Sequence, residues 1–207
     1  MTPPENQIYL ASRSPRRQEL LKQIGVKFEV LSLREASPRI PDIDETPLAE
    51  EVPLDYVRRI ARAKAETGWL RTGERGLPHH PVLGADTAVV LKGAIFGKPE
   101  NPDHAKEMLR ALSAQTHRVL TAIAVAAKEG TKVRGSISDV RFRYISEREI
   151  CGYIACSEGR DKAGGYAIQG AAAIFISHIS GSYSGVVGLP LFETAQLLEE
   201  FGIKIFP

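Results

Sequence analysis

Ile8-Tyr9-Leu10-Ala11-Ser12-Arg13-Ser14-Pro15-Arg16-Arg17-Gln18-Glu19-Leu20-Leu21 is the stretch on which the reading of this chain turns. Ile8-Tyr9-Leu10 is a short apolar run of strand type. From Pro15 onward the pattern is helical, with apolar positions at Leu20, Leu21 and Ile24 and an end at Gly25. Ser14 suits the N-cap, and Pro15 falls at the first helical position, where its missing N–H costs nothing. Arg16 and Arg17 break the rule. The first turn carries the positive end of the helix dipole, which favours acids, and a capping box would want Glu or Gln at Arg17. Two cations, free backbone N–H groups and the hydroxyls of Ser12 and Ser14 converge there. The combination suits a bound anion, phosphate first; the plainer reading is a pair of solvated arginines on a surface helix.

Outward from this stretch, the chain of 207 residues is long enough for a sizeable core. Its 43% hydrophobic and 25% charged residues are ordinary for a globular protein, and a net charge of +2 argues against a non-specific nucleic-acid binder. Cys151 and Cys156 match no zinc spacing and no disulfide framework, so a reducing cytoplasm is expected. No signal peptide is evident, and no apolar run approaches the roughly 20 residues of a membrane span.

Phe28 to Leu33 reads as a second strand and Arg34 to Val52 as a polar loop near a site entrance. Glu35 is its most interesting acid, though a solvated carboxylate is an equal reading. A helix runs from Pro53 to about Thr67, stopped by Gly68, with Leu54, Val57, Ile60, Ala61 and Ala65 on one stripe. Lys64 falls inside that stripe, so it either snorkels to water or meets an anionic partner. His79 and His80 lie in a surface loop and read as a solvated pair.

Val82 to Leu91 is a strand with Asp86 in its interior, where aspartate is uncommon, and with Gly84 allowing a close approach by backbone or ligand. Lys92-Gly93 turns the chain back through Ala94-Ile95-Phe96, bringing Lys98 opposite Asp86 or beside that position. The pair is either a cross-strand ion pair or a carboxylate and an ammonium flanking a phosphate chain. A helix from Asn101-Pro102-Asp103 buries Ala105, Met108, Leu109 and Leu112. Strands Thr116 to Ala126 and Lys132 to Tyr144 come next, joined by Glu129-Gly130; His117 reads as structural. Ser146 to Glu149 is a capping box opening a helix through Cys156, with both cysteines read as helix packing. In Asp161-Lys-Ala-Gly-Gly-Tyr-Ala-Ile-Gln-Gly170 the glycines permit an unusual backbone path, and Gln169 offers an amide suited to a base edge. Ala171 to Ile179 reads as a buried strand, Gly181 to Gly185 as a turn, and Pro190 to Phe201 as a closing helix.

Assembled in order, Leu10 to Leu21, Gly84-Ala-Asp-Thr87, Gly97-Lys-Pro99, Thr116-His-Arg-Val119 with Thr121, Asp161 to Gly170, and Gly181-Ser-Tyr183 with Val187-Gly-Leu-Pro190 resemble the Maf family of nucleoside triphosphate pyrophosphatases. The Gly-rich stretch resembles the branch acting on dTTP and UTP. The resemblance implies one α/β domain over residues 1–207: an elongated mixed sheet with flanking helices, two lobes and a central cleft, as also in inosine triphosphate pyrophosphatases. It implies that Arg16 and Arg17 bind phosphate, that Lys64 and Lys98 face phosphate, and that Asp86 is the proton acceptor or a metal ligand. The resemblance also implies that Arg16, Thr87 and Gln169 set substrate choice and that Glu35 with Asp86 holds Mg²⁺ or Mn²⁺, and the local reading adds Ser12 and Ser14 to the substrate site. Ala114 stands where many members carry glycine, and Ala171-Ala172 replaces a glycine-containing pair. A homodimer is expected from the family alone. The rival class is a nucleotide-binding regulator of septum formation and division; a nucleic-acid module is disfavoured by the lack of a basic aromatic platform.

Overall fold

The computed structural model describes residues 6–33 and 42–206, so Glu35 lies outside the described residues. The order is β1 (Gln7–Leu10), α1 (Pro15–Gln23), β2 (Lys27–Val30), α2 (Pro53–Glu74), β3 (Val82–Leu91), β4 (Ala94–Phe96) and α3 (Pro102–Leu112). Then come β5 (Thr116–Ala127), β6 (Gly130–Phe142), α4 (Glu147–Ala155), two 3₁₀ turns (Ala163–Gly165 and Ala171–Phe175), β7 (Ile176–Ser180), α5 (Tyr183–Val187) and α6 (Leu191–Glu199). The strands form one mixed sheet in the order β2-β1-β3-β5-β6-β7, with β4 added to the outer end of β3. β1 runs parallel to β2 and β3, while β3, β5, β6 and β7 pair antiparallel in succession.

One edge of β3 is shared. β1 pairs with it only at Val82 and Leu83, and β4 only from Val89 to Leu91. Residues 84–88 therefore have no strand partner on that side among the described residues, and both Asp86 and Thr87 sit in this opening.

Side chains alternate between the two faces of a strand, and the core divides accordingly. On one face Leu83 and Ala85 join Ile123 and Val125 in an apolar cluster with Leu20, Leu21 and Leu197. Further along the same face Val89 and Leu91 join Val119, Val140 and Phe142 in a second cluster with Leu109 and Ile150. Between the clusters runs a polar row, Thr87 beside Thr121 beside Ser136. The opposite face holds Ala88, Val90, Leu120, Ala122 and Ala124 under Val57, Ala61 and Ala65 of α2.

Several expectations change. α2 does not stop at Gly68; it continues to Glu74, because Gly68 is the point where the helix presses on the sheet. A Cβ there would lie 2.7 Å from Val82 Cγ1. β2 is shorter than read, ending at Val30. Ala171 to Ile179 is not a buried strand: it begins as a 3₁₀ turn, and β7 is a half-exposed edge strand. Tyr183–Val187 is a short helix rather than a turn, capped by the Ser182 hydroxyl accepting from Gly185 N–H at 3.0 Å. Cys151 and Cys156 are exposed and do not pack the core. The capping box at Ser146, the buried set of α3 and the structural role of His117 stand as read: His117 is 1% exposed, with Nε2 2.8 Å from the Tyr166 hydroxyl.

Candidate active site

Two clusters of polar side chains meet at the open edge of β3. The first lies under α2. Gly84 lets that helix pack directly on the strand, since a Cβ at this position would fall 2.5 Å from Ala61 O and 2.6 Å from Ala65 N. The backbone approach brings Lys64, on the inward stripe of α2, beside Asp86. Lys64 Nζ donates to Asp86 Oδ1 at 2.8 Å and reaches Glu45 Oε1 at 2.7 Å. The ammonium thus meets partners instead of snorkelling to bulk water. Asp86 is 8% exposed. Burial pushes its carboxyl upward in pKa, opposed by the charges of Lys64 and Arg17 and by the Lys64 hydrogen bond.

Glu45 is a site residue that sequence reasoning missed. It sits in Asp42-Ile43-Asp44-Glu45, an acidic run whose density was the available signal. The loop carrying it is anchored to α2: Arg71 pairs with Asp42 at 2.7 Å, Arg59 holds Glu51 at 2.6 Å and Thr46 O at 3.1 Å, and the Tyr56 hydroxyl donates to Glu45 O at 3.0 Å. Burial, with the Asp86 and Glu45 carboxylates, pushes the Tyr56 phenol up to about 12.

The second cluster lies on the other face and is built on the first turn of α1. Ser14 occupies the N-cap position without a side-chain capping bond, and its N–H donates to Ser12 Oγ at 3.2 Å. Arg17 is held by three acceptors: Ser12 Oγ at 3.2 Å, Thr87 Oγ1 at 3.2 Å and Gly188 O at 2.8 Å. Burial lowers the pKa of its guanidinium, with Asp86 pulling the other way; arginine stays charged regardless. The side chain of Arg16, the next residue back, makes no hydrogen bond or ion pair with the described residues. Burial lowers its pKa too, and Asp161 of the Gly-rich stretch is the foremost opposing charge.

Lys98 departs from expectation. The two-residue Lys92-Gly93 turn sets Leu91 opposite Ala94, but pairing ends at Phe96, so Lys98 lies beyond the ladder, exposed and unpaired with Asp86. The ammonium that Asp86 meets is that of Lys64. Gly97 O accepts from Gly164 N–H at 3.0 Å, which ties the Lys98 segment to the Gly-rich stretch. Gly164 and Gly165 have φ of +71° and +73°, the left-handed backbone that glycine adopts without strain. Gln169, at the end of that stretch, is exposed.

The sequence-derived set is therefore partly gathered. Ser12, Ser14, Arg17 and Thr87 form one group, Lys64 and Asp86 with Glu45 another, and Arg16 stands on the Asp161 side. Among the described residues no group of three or more His, Cys, Asp or Glu side chains is placed to bind a metal. Asp86 and Glu45 nevertheless present two carboxylates toward one ammonium, and oxygen donors of this kind suit a hard divalent ion.

Residues 7–201 match a family model described as Maf-like protein. A "dTTP/UTP pyrophosphatase" of Nitrosospira multiformis is 73% identical, and one of Nitrosomonas europaea 61% identical, each over 100% of both chains. Among solved structures the Staphylococcus aureus Ham1 protein is similar at 15% identity, with a TM-score of 0.41 over 66% of this chain and 71% of that one. Matched along nearly its whole length and flanked by relatives this similar end to end, the chain belongs to the Maf family.

Proposed function

We propose that the protein is a nucleoside triphosphate pyrophosphatase that hydrolyses dTTP and UTP to the monophosphate and pyrophosphate. Relatives at 73% and 61% identity carry the name dTTP/UTP pyrophosphatase. The observation that carries the reading is the contact of buried Asp86 with Lys64 at 2.8 Å, at an opening bordered by Arg17.

A triphosphate brings a charge near −4 that must be offset before water can approach. Arg16, Arg17, Lys64 and Lys98 supply positive charge, and charge stabilisation of this kind is the main catalytic term in such reactions. Oδ1 of Asp86 is engaged by Lys64, which orients the carboxylate for water. Burial raises its proton affinity, as a general base requires. Water attacks the α-phosphorus, a new P–O bond forms, the bond to the β-phosphate oxygen breaks, and Asp86 takes the proton. Pyrophosphate leaves. Glu45, or Asp86 in place of acting as the base, would hold Mg²⁺ or Mn²⁺, which when bound offsets phosphate charge and acidifies water. Arg16, Thr87 and Gln169 select the base, and Ser12 and Ser14 line the phosphate end. The enzyme acts on a cytoplasmic nucleotide pool; among the described residues no helix is long and apolar enough to cross a membrane.

The test is a screen of ordinary and modified nucleoside triphosphates, with and without Mg²⁺ or Mn²⁺, scored for pyrophosphate. Release from dTTP and UTP is expected. No release from any nucleotide, or orthophosphate alone, overturns the reading.

A further inference from the structure

Lys64 meets two carboxylates at different depths. Its ammonium and the Asp86 carboxylate are largely buried together, whereas the Glu45 side chain, 2.7 Å from the same ammonium, is 49% exposed. Glu45 is the partner nearer to solvent, from which an anion would approach Lys64. It is also held in place. Glu45 O accepts from the Tyr56 hydroxyl at 3.0 Å, and Thr46 O accepts from Arg59 at 3.1 Å. Arg59 grips Glu51 through two hydrogen bonds of 2.6 and 2.7 Å, and Glu51 accepts in turn from Leu48 N–H at 3.0 Å. Bidentate pairs of this kind are strong and geometrically specific. With Arg71 holding Asp42 at 2.7 Å, the segment is tied to α2 on both sides of Glu45.

With Asp86 ionised, as a base must be, this side of the opening carries two negative charges to one positive. A phosphate oxygen reaching Lys64 meets the Glu45 carboxylate as a like-charged rival for the same ammonium. Phosphates that carry a divalent ion meet it as an oxygen donor beside a hard cation. We infer that Glu45 is a specificity-determining residue that competes with the metal-free nucleotide for Lys64, so that the site admits the triphosphate with its divalent ion and disfavours the bare polyanion. The inference rests on the pyrophosphatase reading above. Arg59 is a positioning residue; it acts through Glu45.

The experiment measures equilibrium binding of α,β-methylene-UTP, which lacks the oxygen bridge to be cleaved, at fixed ionic strength, once in EDTA and once in Mg²⁺. The wild type should bind the analogue about tenfold or more weakly in EDTA. Glu45→Gln should gain about tenfold in EDTA, narrowing the dependence of affinity on metal. A merely structural role predicts the opposite sign, because a loosened site binds more weakly. Glu66→Gln removes the same charge from α2 at the exposed pair with Arg62, and it should leave binding unchanged. Arg59→Gln combined with Glu51→Gln frees the segment without altering net charge and should gain in the same direction. Adding Glu45→Gln to that pair should give no more than Glu45→Gln alone, since both act through one carboxylate. A metal-free affinity that is unchanged or lower in Glu45→Gln, or an equal gain in Glu66→Gln, overturns the inference, while pyrophosphate release from UTP by the wild type leaves the pyrophosphatase reading standing. Wild-type binding by the Arg59 and Glu51 double variant overturns the positioning role of Arg59. No binding of the analogue in either medium, with no pyrophosphate from UTP, overturns both readings.

Discussion

Asp86 and Thr87 are consecutive in β3 and serve opposite faces of one sheet. Asp86 lies under α2, 2.8 Å from Lys64, while Thr87 lies on the far face and accepts from Arg17 at 3.2 Å. The strand edge beside them is left open by both β1 and β4. A ligand laid across that edge would reach both residues, as the proposed mechanism requires of them.

Asp86→Asn keeps the shape of the side chain and removes the base. Turnover should fall about 10²–10⁴-fold, with nucleotide affinity changed far less. Pyrophosphate assays beside equilibrium titration of the nucleotide check this, and near-normal turnover removes Asp86 from the mechanism.

Glu45→Gln separates the metal-holding role from the rest. The variant keeps the loop anchors at Asp42 and Glu51, so its thermal stability should match the wild type. The Mg²⁺ or Mn²⁺ concentration giving half-maximal activity should rise at least tenfold. An unchanged metal titration curve would show that Glu45 does not hold the ion.

Arg17 and Lys98 should differ in kind. Arg17→Met leaves Ser12, Thr87 and Gly188 without their donor, costing about 2–4 kcal/mol of stability as well as activity. Lys98→Met removes an exposed group, so stability should stay within about 0.5 kcal/mol while kcat/KM drops tenfold or more. Denaturant unfolding read alongside kinetics distinguishes them, and equal losses of stability would contradict the burial difference.

His117 is buried neutral, and burial lowers its pKa to about 4 from the ordinary 6.5. Unfolded chains take up a proton below 6.5 while the native state does not, so this stabilisation is complete above pH 6.5 and is lost as pH falls toward 4. The interval corresponds to roughly 3 kcal/mol. His117→Gln, which keeps a partner for Tyr166 but cannot titrate, should flatten that part of the stability profile. A wild-type-like slope in the variant would assign the acid sensitivity to other groups.

Ala114 holds φ +57°, left-handed backbone that an alanine side chain opposes. The glycine common at this place in the family needs no such compromise. Ala114→Gly should stabilise by roughly 0.5–1 kcal/mol, a rise of about 1–4 °C in Tm. A lower Tm would show that chain entropy outweighs the strain. Ala171 and Ala172 carry no positive φ, and their replacement of glycine is neutral to the backbone.

The sequence by itself determined the elements whose cause is local. Period specifies α1, period and capping specify α3 and α4, an apolar run and turn residues specify β3 with β4, and Arg16, Arg17, Lys64 and Asp86 stood out because each breaks a local rule. Only the tertiary structure decided which partners those residues meet. Lys64 rather than Lys98 reaches Asp86, because Gly84 lets α2 settle on the strand while β4 ends at Phe96. Glu45 entered the cluster through anchors supplied by Tyr56, Arg59 and Arg71, residues distant from it in the chain. Gly68 read as a stop because a glycine is locally helix-weakening, yet packing on Val82 and Leu31 requires it there. Propensity acts over a few neighbouring residues; the approach of a helix to a sheet and the open edge of β3 are set by contacts between residues far apart in the chain, which no local pattern contains.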